Sequence, residues 1–319
     1  MRLCPDVAQR FVQAFPDEAE LDVPLARYSG VGIGGPADVL LTVRDQETLL
    51  RAVQMAEAMG IPWRVYGGLT NVLLPDEGVR GLVILNRVDE ALFGDEYRLI
   101  VAGGTSVVKV ARMAVARGWG GLTWAVGLPG TFGGAIINNA GAFGGDISRL
   151  LQWAEVLGPG GKVQRVDAPW FQFGYRTSRL KGHGEPWVVL RAELQLRAAH
   201  PGHLRRKAQE YADRRKRAQP AGKTLGSTFK NPPGDYAGRL IEAAGLKGQR
   251  RGDVVVSTQH ANFFINEGAG TAEDFCALVR LVRARVFEVF GIWLEPEVEI
   301  LTESGLVNHL DASRRAQGT

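Results

Sequence analysis

The sequence predicts an α+β protein built from two small α/β units and a third, mixed unit. Three observations carry this. Residues 45–85 alternate helical and strand patterns. Residues 97–197 open with a strand and a capped helix and continue as alternating strand signals. Residues 201–290 hold three helical stretches around a strand. A length of 319 residues suits two or three packed units better than one core.

Taken in order, residues 1–28 read as a helix-rich lead-in. Asp45 to Met59 is expected to be helical, with Asp45 as its cap, Leu49, Val53 and Ala56 on one face, and Gly60-Ile-Pro62 as its end. Trp63–Tyr66, Val72–Leu74 and Leu82–Leu85 read as strands. In the second unit, Tyr97–Val101 reads as a strand and Ser106–Arg117 as a helix stopping at Gly118. The long glycine-rich stretch Gly127–Gly145 follows. Strands are expected at Trp153–Leu157, Lys162–Val166 and Trp187–Leu196. The third unit holds a basic helix (His203–Arg217), a helix over Asp235–Ala244, a strand at Ala261–Ile265 and a long helix from Thr271. Thr271 and Asp274 form a capping-box pattern, and Gly291 ends that helix. Ile292–Leu301 reads as a strand interrupted by Pro296.

Composition narrows the function. Hydrophobic content of 45% and charged content of 23% are ordinary for a globular chain. The 41 glycines exceed the usual fraction of roughly 7% and cluster, which points to backbone lying close to a ligand. A formal charge of +4 suits anionic small molecules as well as nucleic acid. Cys4 and Cys276 lack ligand-like spacing, so neither a disulfide framework nor a metal site is expected. No signal peptide and no apolar run of membrane-spanning length is present, so a cytoplasmic protein with no membrane partner is expected.

Several strings fail in context. Gly30-Val-Gly-Ile-Gly-Gly35 spells G-x-G-x-x-G, but no long strand precedes it and Pro36 follows it. Ser227-Thr-Phe-Lys230 spells S-x-x-K, but Asn231-Pro-Pro233 stops any helix and the partner motifs are missing. Gly222-Lys-Thr224 lacks the leading glycine of a phosphate-binding loop. The basic run 203–217 reads as a solvated helix face, with phosphate binding by part of it left open. Only Tyr211 interleaves, which argues against nucleic acid.

Other segments are richer. Gly67-Gly-Leu-Thr-Asn71, directly after a strand, is either an anion-binding nest of amides or an ordinary turn. Gly127–Gly145 has few charges and too many glycines for a purely structural loop, and Thr131 and Asn138 can supply neutral hydrogen bonds. Arg176 stands beside aromatics, suited to bidentate capture of a carboxylate or phosphate, or to a surface ion pair. Glu297 stands amid apolar strand residues, exposed at a strand end or functional.

Together these segments resemble the UDP-N-acetylenolpyruvoylglucosamine reductase family, from about Tyr28 to Ile300. The resemblance rests on Ile33–Ala37, Gly127–Gly145, Gly174-Tyr-Arg176, Gly226–Pro232, Ala237–Ile241, His260-Ala-Asn262 and Leu294–Glu297. It implies an FAD-binding domain of two α/β subdomains and a C-terminal α+β substrate domain. The implied boundaries are 1–80 with 291–319, then 81–200, then 201–290. The shorter architectural type of the family is implied, because no extended insertion follows Arg176. The implied reaction has two halves: NADPH reduces FAD, and the reduced flavin passes a hydride to the enolpyruvyl β-carbon. The implied catalytic residues are Arg176 as carboxylate clamp, Ser227 as proton donor, and Glu297 as hydrogen-bond donor or orienting partner. Cofactor contacts are implied at Gly67, Gly68, Thr70, Asn71, Pro129, Gly130, Thr131, Gly133, Gly134, Ala135 and Asn138. Substrate contacts are implied at Tyr175, Lys230, Asn231 and Arg239. Two positions depart from the family: Leu69 stands where glycine is usual, and Glu299 where a basic residue is common. A monomer is the simplest expectation. The alternatives are an FAD-dependent oxidoreductase of the same flavin fold with another substrate, and a non-enzyme binding nucleic acid through the basic helix.

Overall fold

The computed structural model describes residues 2–182, 186–302 and 305–307. The described chain is α+β and gathers into two compact units. The first comprises Met1–Pro24, Pro36–Leu69 and Val79–Arg217. The second comprises Leu25–Gly35, Thr70–Gly78 and Ala218–Thr319.

The first unit begins with α1 (Pro5–Ala14) and β1 (Ala19–Pro24), so the lead-in expected to be helix-rich also supplies a strand. Its edge position explains why no hydrophobic alternation marked it. Only Val23 of β1 is buried. There follow β2 (Pro36–Val43), α2 (Gln46–Ala58), β3 (Trp63–Tyr66), β4 (Val72–Leu73, in the second unit) and β5 (Val79–Asn86). Asp45 caps α2 by accepting from the Thr48 amide at 2.7 Å, worth about 1 kcal/mol. The first sheet has the order β1-β2-β5-β3, with β2, β5 and β3 parallel. Parallel strands need a crossover, and α2 supplies the one from β2 to β3, which flank β5. Leu49, Ala52, Val53 and Ala56 of α2 are buried, in one cluster with Val39, Leu41 and Ile84.

The second sheet is antiparallel. It uses β6 (Ala91–Phe93) and β7 (Arg98–Ala102), then α3 (Val107–Arg117), then β8 (Trp119–Gly120) and α4 (Phe132–Ile137). The hairpin strands β9 (Gly141–Ala142) and β10 (Gly145–Asp146) precede β11 (Leu151–Leu157), β12 (Val163–Asp167) and β13 (Val188–Gln195). Its order is β12-β11-β13-β7-β6. The buried faces of α3 and α4 share a cluster with Leu99, Val101, Ala154 and Leu194. A short pair, β14 (Arg197–Ala198) with β8, leads to α5 (Pro201–Ala218), whose Leu204, Ala208 and Tyr211 reach the same cluster.

The second unit holds α6 (Ala237–Ala243), β15 (Arg250–Arg251), β16 (Val254–Val256), β17 (Phe264–Asn266), α7 (Ala272–Phe290), β18 (Glu299–Thr302) and β19 (Gly305–Val307). Thr271 and Asp274 close the expected capping box, and Gly291, at φ 67°, ends α7. The strand expected at 261–265 is shorter and later, because Asn262 leaves the ladder to bond with another segment. The tail strand begins only at Glu299. Residues 294–298 bond instead to Thr228, Lys230 and Arg283.

The two-unit grouping differs from the expected three-way division in several places. β5 carries the first sheet past residue 80 to Asn86. Helix α5 groups with the first unit up to Arg217. The tail pairs with an early strand, Glu299 and Ile300 lying parallel to Val72 and Leu73, yet both strands group in the second unit. Residues 308–319 lie outside the described part of the chain.

Candidate active site

The glycine-rich stretch is not a loop throughout. Its centre is α4, which the density of glycines concealed from sequence reasoning. Pro129 and Gly130 lead in, and Thr131 stands at the N-cap without capping the helix through its side chain. Gly133 donates to Gly103 O at 2.8 Å, and Phe132 donates to Thr105 O at 3.0 Å. The Thr131 side chain instead meets the turn after β3. A Cβ on Gly67 would lie 2.0 Å from Thr131 Oγ1, so only glycine allows this approach. Arg87 Nη1 fixes the same turn by donating to Gly67 O at 2.7 Å. The two expected cofactor segments of the first unit, 67–68 and 129–138, are therefore neighbours.

Gly134 differs from its neighbours. It is helical, it is exposed, and a Cβ there would meet nothing within 4 Å. Neither backbone strain nor packing explains a glycine, whereas a ligand surface lying against α4 does. Asn138 Nδ2 donates to Gly134 O at 3.1 Å. An uncharged surface left open at Gly134 is compatible with the flat, weakly charged ring system of a flavin.

Leu69 carries the departure seen in the sequence. Its φ of 48° is left-handed, a conformation glycine adopts without cost, and its side chain is 4% exposed. Strain in this turn is offset by burial of the side chain.

Arg176 occupies a two-residue turn between Gly174 and Thr177, which bond to each other in both directions. It also sits at left-handed φ, 56°. Tyr175, the other turn residue, is exposed, with the Arg176 guanidinium 5.2 Å from its ring centroid. The turn is lashed to the glycine-rich stretch. Asn139 Nδ2 donates to Gly174 O at 2.9 Å, Ser178 Oγ to Ile137 O at 2.6 Å, and Arg176 Nη2 to Gly141 O at 2.5 Å. A guanidinium fixed this firmly is pre-organised to meet an anion.

Sequence reasoning missed Arg215. It looked like one charge in a solvated run, but Nη1 donates to Gly127 O at 2.8 Å. Burial, and then the nearby positive charge of Arg176, push its pKa below the usual arginine value. Two guanidinium groups thus repel each other at the edge of the glycine-rich segment, which makes an anion welcome there. The signal available in the sequence was the position of Tyr211 and Arg215, four residues apart on one helix face.

In the second unit, Ser227 lies in an extended segment bridged to Phe263 on one side, while Phe229 bridges to Pro296 on the other. Asn262 is buried and replaces a strand partner. Its Oδ1 accepts from Phe229 N at 2.9 Å and its Nδ2 donates to Phe229 O at 2.8 Å. Glu297 N donates to Thr228 O at 2.8 Å, so Glu297 lies beside the Ser227 segment. Asn71 Nδ2 donates to Glu297 O at 3.2 Å. Thr70, Asn71, Ser227 and Glu297 all belong to this unit. Ser227 is half-buried. The neighbouring Thr228 Oγ1 is buried and has no hydrogen-bond partner.

The expected substrate contacts have internal partners. Lys230 Nζ pairs with Glu295 Oε1 at 2.6 Å. Asn231 Oδ1 accepts from Ala237 N at 3.1 Å, holding the start of α6. Arg239 forms a two-point ion pair with Asp235, which holds the Asp235 carboxyl at about 2. Among the described residues no cluster of side chains could hold a metal ion, and no helix is long and apolar enough to cross a membrane.

Comparison with known proteins supplies the class. A family model described as "FAD binding domain" matches residues 37–167, and one described as "UDP-N-acetylenolpyruvoylglucosamine reductase, C-terminal domain" matches residues 218–301. The chain is thus a flavin-dependent oxidoreductase, with FAD as its cofactor and NADPH as the reductant. A protein named UDP-N-acetylenolpyruvoylglucosamine reductase from Rubrobacter xylanophilus is 46% identical over 288 residues, covering 89% of this chain and 96% of its own. One of the same name from Chloroflexus aggregans is 41% identical, covering 91% and 99%. The crystal structure of UDP-N-acetylenolpyruvylglucosamine reductase from Thermus caldophilus superposes with a TM-score of 0.74 at 36% identity, covering 89% of this chain and 98% of that one. The chain belongs to the UDP-N-acetylenolpyruvoylglucosamine reductase family. These likenesses support the reductase expectation and lend nothing to the nucleic-acid or other-substrate alternatives.

Proposed function

We propose that this chain reduces the enolpyruvyl group of UDP-N-acetylglucosamine enolpyruvate with NADPH, giving UDP-N-acetylmuramate for peptidoglycan precursor synthesis. The observation that carries the reading is Arg176. Its guanidinium is fixed on the edge of the glycine-rich segment by a turn with three separate tethers.

FAD would be held by Gly67, Gly68, Thr70, Asn71, Pro129, Gly130, Thr131, Gly133, Gly134, Ala135 and Asn138, and when bound it supplies the hydride. The chain's own residues do the rest. As hydride reaches the β-carbon, negative charge moves to the α-carbon and its carboxylate. Arg176 clamps that planar enolate, and Arg215 adds a second positive charge beside it. Glu297 orients the carboxylate or donates to it when protonated. Ser227 gives its proton to the α-carbon. A hydroxyl is a weak acid, but the carbanion-like carbon is far more basic, so transfer is downhill. Tyr175, Lys230, Asn231 and Arg239 contact the rest of the substrate. Lys230 and Arg239 would exchange their carboxylate partners for phosphate or ribose oxygens. On this reading the two sheets of the first unit are the two flavin subdomains and the second unit is the substrate domain. The protein works as a cytoplasmic monomer without nucleic-acid or membrane partners.

The test is direct. Protein loaded with FAD should be yellow, and its NADPH oxidation should rise on addition of the enolpyruvyl sugar with equimolar formation of UDP-N-acetylmuramate. NADPH oxidation indifferent to the sugar would overturn the reading.

A further inference from the structure

A cavity of about 190 Å³ lies in the first unit, and none of the residues proposed above for flavin or substrate lines it. Its walls include Trp124, Arg149, Arg197, and Lys207 and Tyr211 of α5. The turn Phe143–Gly144 of the β9–β10 hairpin closes one side. Both turn residues are left-handed, φ 51° and 81°, as a two-residue hairpin turn requires. Phe143 lies flat on Tyr211, centroids 4.3 Å apart. The hairpin also lies against Trp124, since a Cβ on Gly145 would come 2.2 Å from the indole.

The charge is unbalanced. Of the three cations, Arg149 is matched by Asp146, Nε to Oδ2 at 3.4 Å, and donates to Gly144 O at 2.8 Å. Arg197 and Lys207 have no carboxylate partner among the described residues. Two unmatched positive charges suit a phosphomonoester, which carries roughly −1.5 to −2 at neutral pH. The volume is several times the ~30 Å³ of a water molecule, so it admits more than a bare ion. It is small beside the pockets of roughly 300 Å³ and more that enclose drug-sized ligands, so a small organic anion fills it best. Trp124 and the stacked Phe143–Tyr211 pair, with Lys207 Nζ 5.7 Å from the Tyr211 ring centroid, supply the apolar part of the lining.

We propose that this cavity binds a small phosphomonoester with a flat or apolar body, as a site separate from the flavin and substrate residues. The site is coupled to them by construction. Gly141, on the same hairpin, accepts the Arg176 hydrogen bond. Arg214 and Arg215 stand 5.5 and 6.0 Å from the Phe143 ring, on the helix that carries Lys207 and Tyr211.

Titration calorimetry of the FAD-loaded full chain with phenyl phosphate at low ionic strength tests this. One saturable site is expected, weakened tenfold or more in Arg197→Gln/Lys207→Gln, with flavin content and thermal midpoint unchanged. Inorganic phosphate should bind several-fold more weakly and phenol not at all. Absence of saturable heat, or equal affinity in wild type and variant, overturns the proposal. So does loss of binding in Arg176→Met with the double variant unaffected. Should the double variant not fold, each single Gln variant is expected to weaken binding about threefold, and no change in either is equally fatal. Binding is read without turnover, so the outcome is independent of the catalytic reading.

Discussion

Arg215 and Arg239 are both helix arginines in a chain rich in them, and their surroundings push them in opposite directions. Arg239 is exposed and answered by Asp235, which raises its pKa. Arg215 is half-buried, answered by the Gly127 carbonyl, and lowered by burial and by Arg176. The first charge is already neutralised. The second is held in place at a cost, beside another of like sign. On the proposed reading, the pair Arg176–Arg215 faces the substrate's anion, while Arg239 lies at the rim.

The comparison can be broken or sharpened by substitution. The largest effect among the arginines belongs to Arg176→Met, which should lower kcat/KM for the enolpyruvyl sugar about 10²–10³-fold, as loss of a pre-organised charge at a developing anion does. NADPH-driven flavin bleaching should stay near wild type. Arg215→Met should raise KM for the sugar roughly 10–100-fold, the worth of about 1.5–3 kcal/mol for a charged hydrogen bond. Arg239→Met should change it by about threefold or less, because an exposed pair contributes little. Equal effects at 215 and 239, measured by steady-state kinetics, would remove the distinction.

A smaller effect separates binding from folding. Gly134→Ala fills open space and favours the helix by about 1 kcal/mol, so the apo-protein's thermal midpoint should hold or rise. FAD affinity, read by fluorescence titration, should fall tenfold or more. The smallest concerns Leu69. Replacing it by Ala or Gly loses the same buried contacts, but Gly relieves the left-handed strain. Leu69→Gly should therefore be about 1 kcal/mol more stable than Leu69→Ala by denaturant midpoint. The reverse order would place the turn outside the left-handed region.

Helices α2, α3 and α7 were legible because caps and periodicity agreed, and each end lies at or within a residue or so of its sequence signal. The edge strand β1 was not, since an edge strand with one buried residue has no alternation to read. Helix α4 was hidden because glycines that favour loops here serve close approach to Gly103 and an open face at Gly134. Arg176 stood out in the sequence as a candidate beside aromatics, with an ordinary surface ion pair left open; its tethers to the glycine-rich segment are tertiary. Arg215 was not legible, because burial of one member of a charged run depends on which helix face meets Phe143, a tertiary fact. The ion pair of Lys230 was likewise invisible, Glu295 lying 65 residues away, whereas Asp235 and Arg239 are only four residues apart.

Ser227 is the residue on which the proposed chemistry turns, and it is tested most directly by separating the two half-reactions. In Ser227→Ala, stopped-flow bleaching of FAD by NADPH should match wild type within about twofold. Reoxidation of the reduced protein by the enolpyruvyl sugar should slow by about 10²–10⁴-fold, the range for loss of a positioned acid. Equal slowing of both halves, or reoxidation at the wild-type rate, would contradict the account.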